Sequence, residues 1–551
     1  MPAHLALSRW ISYVDLMKPF RFFVVLFLLP FLPQNGQATD APRLVVFISI
    51  DQMRADHLER YRQLYTAGFQ RMLSEGTAFS NAGLNYAVSA TGPGHATLST
   101  GVYPWKSGIV SNNWTDRVTN HKVYCVEDST ALPVEGDGGG RSPQLLNATT
   151  LGDWLQTASP RSKVVSLSYK DRAAILMGGK QPTGAFWYDR KTGRMVTSSY
   201  YLNRIPGWAR TFNAGGWVAH HTPAAWTKLK AEQVYTPFGP DTLAGEEPWN
   251  GKTSFPHAFN PRSINAGTFD SPFGNSLLLD FSRAALHGEE LGQRGVTDLL
   301  CISLSPTDNI GASFGPNSHE MIDNLLRLDG TLGDFIADLE ATLGREKLLV
   351  VLSGDHGVMQ LPEYRQQIEH LAARRIDNSR LVEDALKQLD SLLRLEYPTT
   401  ARLIRKGSLN YSAAQQAGIA DSVLEQRVRG ALVAVDGVSD VYFRRELLDP
   451  ATPPRPYLQS YRHSTQADRS PDFFIRDCEN CLITADSTGT SHGSPYAYDT
   501  TVPILFWGST IPVQKVDREV HTVDIAATLA RLLGLEAPAN LDGAVLPEIT
   551  R

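Results

Sequence analysis

Four short apolar runs stand out along the chain: LVVFISID, VVSLSYKDR, DLLCISLSPTD and KLLVVLSGDH. Each is rich in Val, Ile and Leu and lacks polar alternation, which is how strands buried on both faces of a parallel sheet read. Each also finishes on chemistry-bearing residues: Asp51, then Lys170 and Arg172, then Asp308, then Asp355 and His356. A fifth run, VPILFWG (502–508), follows the polar stretch GTSHGSPYAYDTT, and amphipathic segments such as EMIDNLLRLDGTLGDFIADLEATL lie between the runs. The expectation is an α/β fold with a doubly wound, mostly parallel central sheet and helices on both faces. Ligands of such sheets sit beyond the carboxyl ends of the strands, so distant segments are expected to build one active-site edge.

Between about 186 and 280 this periodicity gives way to Trp, Gly, Pro and Asn, beginning FWYDRKTGRMVTSSYY, which reads as an insertion capping that edge. A second insertion, about 361 to 485, opens on a charged helical run and passes through ALVAVDGVSDVYFRREL, as a small α+β module would. The main domain is expected over residues 39–551. The first 38 residues differ: Arg9, Lys18 and Arg21 precede FFVVLFLLPFL, followed by small residues at Gly36 and Ala38. This is the grammar of a signal peptide, its core too short for a span of about 20 residues, with an uncleaved anchor as the alternative. Either way the body of the chain is exported, to the periplasm or outside the cell, with no stable membrane span once the leader is cleaved.

Lys and Arg number 52 against 57 Asp and Glu, a net charge of -5, so no basic field points to nucleic acid and a small-molecule partner is expected. Of four cysteines, Cys478 and Cys481 in DCENC are spaced to close a small loop in an oxidising compartment. Cys125 and Cys301 are isolated, and Cys301, inside LLCISL, reads as a buried thiol.

The stretch SATGPGHATLSTG (89–101) bends backbone closely around something small and charged, yet it is neither a P-loop nor a dinucleotide fingerprint: Gly92, Gly94 and Thr97 do not fit either spacing. Thr91 precedes a short helix, HATLST, so its hydroxyl is placed at a helix N-terminus that favours an anion. Asp51, Asp308, Asp355, His356 and His492 are the residue types that bind zinc. Singly, each is as well explained as a turn or cap residue; the adjacent pair in SGDHG, flanked by glycine, is more specific.

Together with SNNWTD, SLSYKDRAA, PTGAFWYD, TDNIGASFGPNS and HTVDIAATLARLLG, these motifs resemble, in order and over nearly the whole mature chain, the alkaline phosphatase superfamily with its type I phosphodiesterase/nucleotide pyrophosphatase-like fold. Within it the chain resembles the exported, threonine-nucleophile alkaline phosphatases of the PafA type. The resemblance implies a metal-dependent hydrolase of small-molecule phosphate monoesters that works through a phosphothreonine at Thr91. It further implies two zinc ions, one held by Asp51, Asp355 and His356 beside Thr91, the other by Asp308 and His492. Asn112, Lys170 and Arg172 match the residues that contact the phosphoryl oxygens; two cations there favour a monoester dianion over a diester. Sulfatase relatives carry Arg where this chain has His95.

One position departs from the family pattern. Ala312 stands where Asp, three residues, then His is expected, which leaves the second metal one imidazole short; His319, the nearest imidazole in sequence, is expected to face outward on the next helix. The alternatives are therefore a phosphodiesterase of the same superfamily, or a catalytically impaired phosphate- or metal-binding homologue.

Overall fold

The structure, a computed structural model, describes residues 41–405 and 407–550; the expected leader lies outside them. Ten segments form the main sheet: β1 (Leu44–Ile50), β2 (Thr77–Phe79), β3 (Pro133–Val134), β4 (Val164–Ser168), β5 (Gly184–Asp189), β6 (Arg194–Ser198), β7 (Asp298–Leu304), β8 (Leu348–Ser353), β9 (Ile504–Gly508) and β10 (Gln514–Val516). Their spatial order is β10-β2-β9-β8-β1-β7-β4-β5-β6-β3. The expected runs fill the centre, where β8, β1, β7, β4 and β5 are mutually parallel.

Alternation along β1 divides the protein into two cores. Leu44, Val46, Ile48 and Ile50 face one cluster, whereas Val45 and Phe47 face the other, as a period of two requires. The first cluster is covered by α3 (Phe273–Gly288) and α5 (His319–Leu343). The second is covered by α1 (Thr91–Thr100), α2 (Asp171–Gly178) and α6 (Asp524–Leu532). Each fully buried Leu, Ile or Phe contributes about 1.5–3 kcal/mol, so a strand buried on both faces anchors the sheet strongly. Cys301 lies in the second cluster, and burial pushes its thiol up to about 12.

Register sets the level of the active edge. Ile50 pairs with Leu304, Ser49 with Ser353, and Ser303 with Ser168, so β1, β7, β8 and β4 all end together. The fifth apolar run differs from its neighbours: β9 pairs antiparallel with β8, Ile504 opposite Ser353. The loop before β9, which carries His492, therefore arrives at the same edge that the parallel strands leave.

At the start of the 186–280 stretch, β5 and β6 are part of the main sheet. Within 361–485, β-pairs join 374–376 to 481–483 and 438–443 to 473–477, and a separate hydrophobic core includes Leu386, Leu393, Leu424, Val428 and Phe443. Cys478 and Cys481 form a disulfide. Among the described residues no helix is long and apolar enough to cross a membrane.

Candidate active site

Thr91 is the first residue of α1 and is 1% exposed. The helix begins at Thr91 itself, earlier than HATLST suggests, with Pro93 in the first turn, where its missing N–H is harmless. The glycines are required by close approach. A Cβ on Gly94 would lie 2.5 Å from the Asp355 carbonyl oxygen, and one on Gly92 would lie 3.1 Å from Asn112 Oδ1. Gly92 N–H donates to that Asn112 oxygen at 2.7 Å. Arg172, in the first turn of α2, donates from Nη2 to Thr91 Oγ1 at 3.2 Å, while its Nε is buried without a partner.

Two groups of metal-ligand type converge beside this hydroxyl: Asp51, Asp355 and His356, and Asp308, His356 and His492, each with donor atoms within 4.8 Å of one another. The residues expected from sequence are thus brought together, and His356 belongs to both groups. Asp51 Oδ1, Asp355 Oδ2 and His356 Nε2 are buried with no hydrogen-bond partner. Such orphaned acceptors in a dry site are what a divalent cation satisfies, and a mixed carboxylate and imidazole set suits zinc.

Lys170 occupies a specific place between the groups. Its Nζ donates to Asp51 Oδ2 at 2.5 Å and also to Asp308 Oδ2. Burial pushes Asp51 up to about 7, with Asp355 adding to the effect and Lys170 opposing it. Burial also disfavours charge on Asp308, but Lys170 and His492 outweigh it and hold that carboxyl below its ordinary range. Burial acts on Asp355 in the same way and is outweighed by His356 and His95.

Three contributors were not singled out from sequence. Gln52 N–H donates to Asp355 Oδ1 at 3.0 Å and its Nε2 to Asp308 Oδ1 at 2.6 Å, so one residue ties both groups together. His95 Nδ1 lies 2.9 Å from the Thr91 carbonyl oxygen and 3.2 Å from Asp355 Oδ2, bracing the start of α1. Tyr124 hydroxyl, which bonds Asp171, receives Arg172 Nη1 at 3.4 Å. The adjacency of Gln52 to Asp51 was the one local signal; the other two are made by tertiary contact. His319, by contrast, faces inward, contrary to a solvent-facing helix position. It is 1% exposed, its Nε2 is 3.0 Å from the Gly239 carbonyl and its Nδ1 is 3.2 Å from Asp241. It joins neither metal-ligand group.

The fold and this site define a hydrolase of the alkaline phosphatase type, and comparison with known proteins agrees. The chain belongs to the type I phosphodiesterase / nucleotide pyrophosphatase family, which it matches over residues 45–495. It is 34% identical over 526 residues to alkaline phosphatase PhoV of Synechococcus elongatus, covering 94% of each chain. It is likewise 34% identical over 532 residues to alkaline phosphatase PafA of Elizabethkingia meningoseptica, covering 94% of this chain and 96% of that one. The crystal structure of wild-type PafA superposes with a TM-score of 0.84 at 31% identity, covering 93% of this chain and 99% of the other. The protein is an enzyme, a phosphatase of that superfamily, and its α/β architecture is the one PafA has.

Proposed function

We propose that this is an exported, zinc-dependent phosphate monoester hydrolase that works through a phosphothreonine at Thr91. The observation that carries the reading is the meeting of Thr91 Oγ1 and Arg172 Nη2 at 3.2 Å beside two groups of buried carboxylates and imidazoles. Asp51, Asp355 and His356 would hold one zinc, and Asp308 and His492 a second. When bound, such ions stabilise negative charge on the attacking and departing oxygens.

The chain's own residues supply the rest. Thr91 Oγ1 forms the bond to phosphorus as the ester oxygen departs with its electron pair; water then cleaves the phosphothreonine, releasing phosphate and restoring the hydroxyl. Arg172 beside Oγ1 favours the deprotonated oxygen and offers further donors to the phosphoryl group. Asn112 Oδ1 is committed to Gly92 N–H, which leaves its amide Nδ2 as a donor. The Lys170 ammonium has three donors, two of which are used by Asp51 and Asp308, and the third serves a phosphoryl oxygen. A monoester dianion gains more from Lys170 and Arg172 than a diester monoanion does. Export is supported by the leader-like N-terminus and by the Cys478–Cys481 disulfide.

The test is zinc analysis of the purified protein beside its rates on an aryl phosphate monoester and an aryl phosphate diester. Zinc with faster monoester turnover is expected. Faster diester turnover would make the protein a phosphodiesterase.

A further inference from the structure

We propose that Gln52 is a positioning residue whose side-chain amide fixes the Asp308 carboxylate for the second zinc, with Gly311 supplying the space that the amide needs. This rests on the phosphomonoesterase reading above. Topology is the first argument. Asp51 and Gln52 follow β1, which lies between β8 and β7 in the sheet, so Gln52 stands between Asp355 beyond one neighbour and Asp308 beyond the other. It uses different atoms toward each. The backbone N–H donates to Asp355 Oδ1 at 3.0 Å, and the side-chain Nε2 donates to Asp308 Oδ1 at 2.6 Å. An ionised carboxylate only accepts, so it is the amide nitrogen that faces it. Lys170 Nζ donates to the other Asp308 oxygen, Oδ2, so the carboxylate is gripped at both ends. Substituting the Gln52 side chain leaves the backbone bond to Asp355 in place and frees Asp308 alone.

Local strain is the second argument. Gln52 has a φ of 66°, in the left-handed region that is unfavourable for any residue with a side chain. The residue is fully buried, and its Oε1 has no hydrogen-bond partner among the described residues, which is unfavourable in turn. Facing that oxygen, Gly311 sits in the middle of α4 (Pro306–Phe314), where alanine would favour the helix. A Cβ on Gly311 would lie 1.9 Å from Gln52 Oε1, so a larger residue there pushes the carboxamide off Asp308. Three unfavourable local choices thus converge on one hydrogen bond. Strain of this kind persists where the surrounding structure holds it for the site's use.

The experiment titrates zinc by calorimetry into metal-free wild type, Gln52→Gly, Gln52→Met and Gly311→Ala, and records the melting temperature of each metal-free protein. In all three variants the dissociation constant of the weaker zinc should rise by at least about tenfold, the scale on which loss of a residue behind a metal ligand acts. The tighter zinc should hardly change, because the backbone N–H still holds Asp355. The monoesterase rate should fall at limiting zinc and recover in part at high zinc. Stability should not follow: Gln52→Gly removes the unfavourable φ and Gly311→Ala favours the helix, so their metal-free melting temperatures should stay within about two degrees of wild type. A weaker zinc unaffected in Gln52→Met, or a wild type with a single zinc site, overturns the proposal even where the ester is turned over. So does a Gln52→Gly protein that loses stability and both zinc affinities together, since the residue is then merely structural. A wild type that turns over no phosphate ester, while its weaker zinc still depends on Gln52, defeats the phosphatase reading and not this one.

Discussion

The imidazoles of His356 and His492 stack with ring centroids 3.7 Å apart and planes 19° from parallel. Each is anchored at Nδ1, His356 by the Gly357 carbonyl at 2.9 Å and His492 by the Ser89 carbonyl at 2.7 Å. Nδ1–H donates to these oxygens, so in the neutral imidazole it is Nε2 that carries the lone pair. His356 Nε2 stands 3.4 Å from Asp51 Oδ1 and 3.5 Å from Asp355 Oδ2, and His492 Nε2 stands 3.8 Å from Asp308 Oδ1. Lone pairs aimed at carboxylates are unfavourable without a cation between them, and backbone anchoring of the far nitrogen is how metal-ligating histidines are fixed.

Removing divalent metal should therefore act on the fold as well as on the rate. Asp51 and Asp355 are both 0% exposed, and only Lys170 and the neighbouring imidazoles then offset their charge. Treatment with a strong chelator is expected to abolish phosphatase activity and to lower the melting temperature by roughly several degrees, with zinc restoring both. A melting temperature indifferent to chelator and zinc would show that these groups hold no ion.

Thr91→Ala should reduce turnover by at least about a thousandfold, the scale on which loss of a nucleophile acts. The melting temperature should hardly move, because α1 is fixed by its contacts with α2 and the sheet rather than by this hydroxyl. Thr91→Ser should retain part of the activity. Mass spectrometry of acid-quenched enzyme should find phosphate on Thr91; phosphate on another residue would displace the assignment.

For Lys170 and Arg172 the informative quantity is a ratio. Replacing both with Ala should lower the monoester to diester rate ratio by at least roughly tenfold, about 1.4 kcal/mol of differential transition-state binding. The single variants should differ in kind. Arg172→Ala removes a group that touches Thr91 Oγ1, whereas Lys170→Ala also strips Asp51 and Asp308 of their shared cation. Only the second should raise the protein's demand for metal, read as a larger melting shift on chelation. Equal shifts in the two variants would separate Lys170 from the metal groups.

Much of this edge was legible because strands buried on both faces leave a plain mark, and because Asp51, Asp308 and Asp355 follow such strands directly. The direction of β9 was not legible, since an apolar run carries no sign of whether its partner is parallel. Nor were the roles of Gln52 and His95, whose contacts with Asp355 span 303 and 260 positions of chain, respectively. His319 shows the opposite failure. Helical periodicity alone places it facing solvent, but the first insertion folds over α5 and buries it against Gly239 and Asp241.

That same region predicts a pH dependence of stability. Burial pushes Glu246 up to about 9, with Glu320 contributing, and pushes Glu320 up to about 8, where His257 Nε2 lies 2.7 Å from its Oε1. Both acids hold a proton more tightly in the folded chain than at their ordinary value of 4.5. Their stabilisation is therefore complete below that value and is lost as pH rises through 8 to 9. The melting temperature should fall from about pH 5 to about pH 9, and Glu246→Gln, which cannot ionise, should flatten the fall. A slope unchanged by Glu246→Gln would remove this pair as its cause.

Ala312 bears on how many metal ions the proposed site would hold. It lies one helical turn beyond Asp308 in α4 (Pro306–Phe314), so the two side chains share a face. Its methyl group offers no ligand, and His319 is engaged elsewhere, so among the described residues Asp308 and His492 have only the shared His356 as a third partner of metal-ligand type. The wild-type protein is expected to retain nearer one than two zinc ions through dialysis, with activity that rises on adding zinc. Space exists for a larger side chain: Ala312 borders a cavity of about 360 Å³, and its carbonyl is held by Thr490 N–H at 2.7 Å, which keeps the backbone in place. Ala312→His should then raise the zinc content toward two per chain and increase the monoesterase rate. Elemental analysis gives the first readout without reference to activity. Two tightly held ions in the wild type, with no gain in Ala312→His, would mean that His356 or a residue of the insertions already completes the second site.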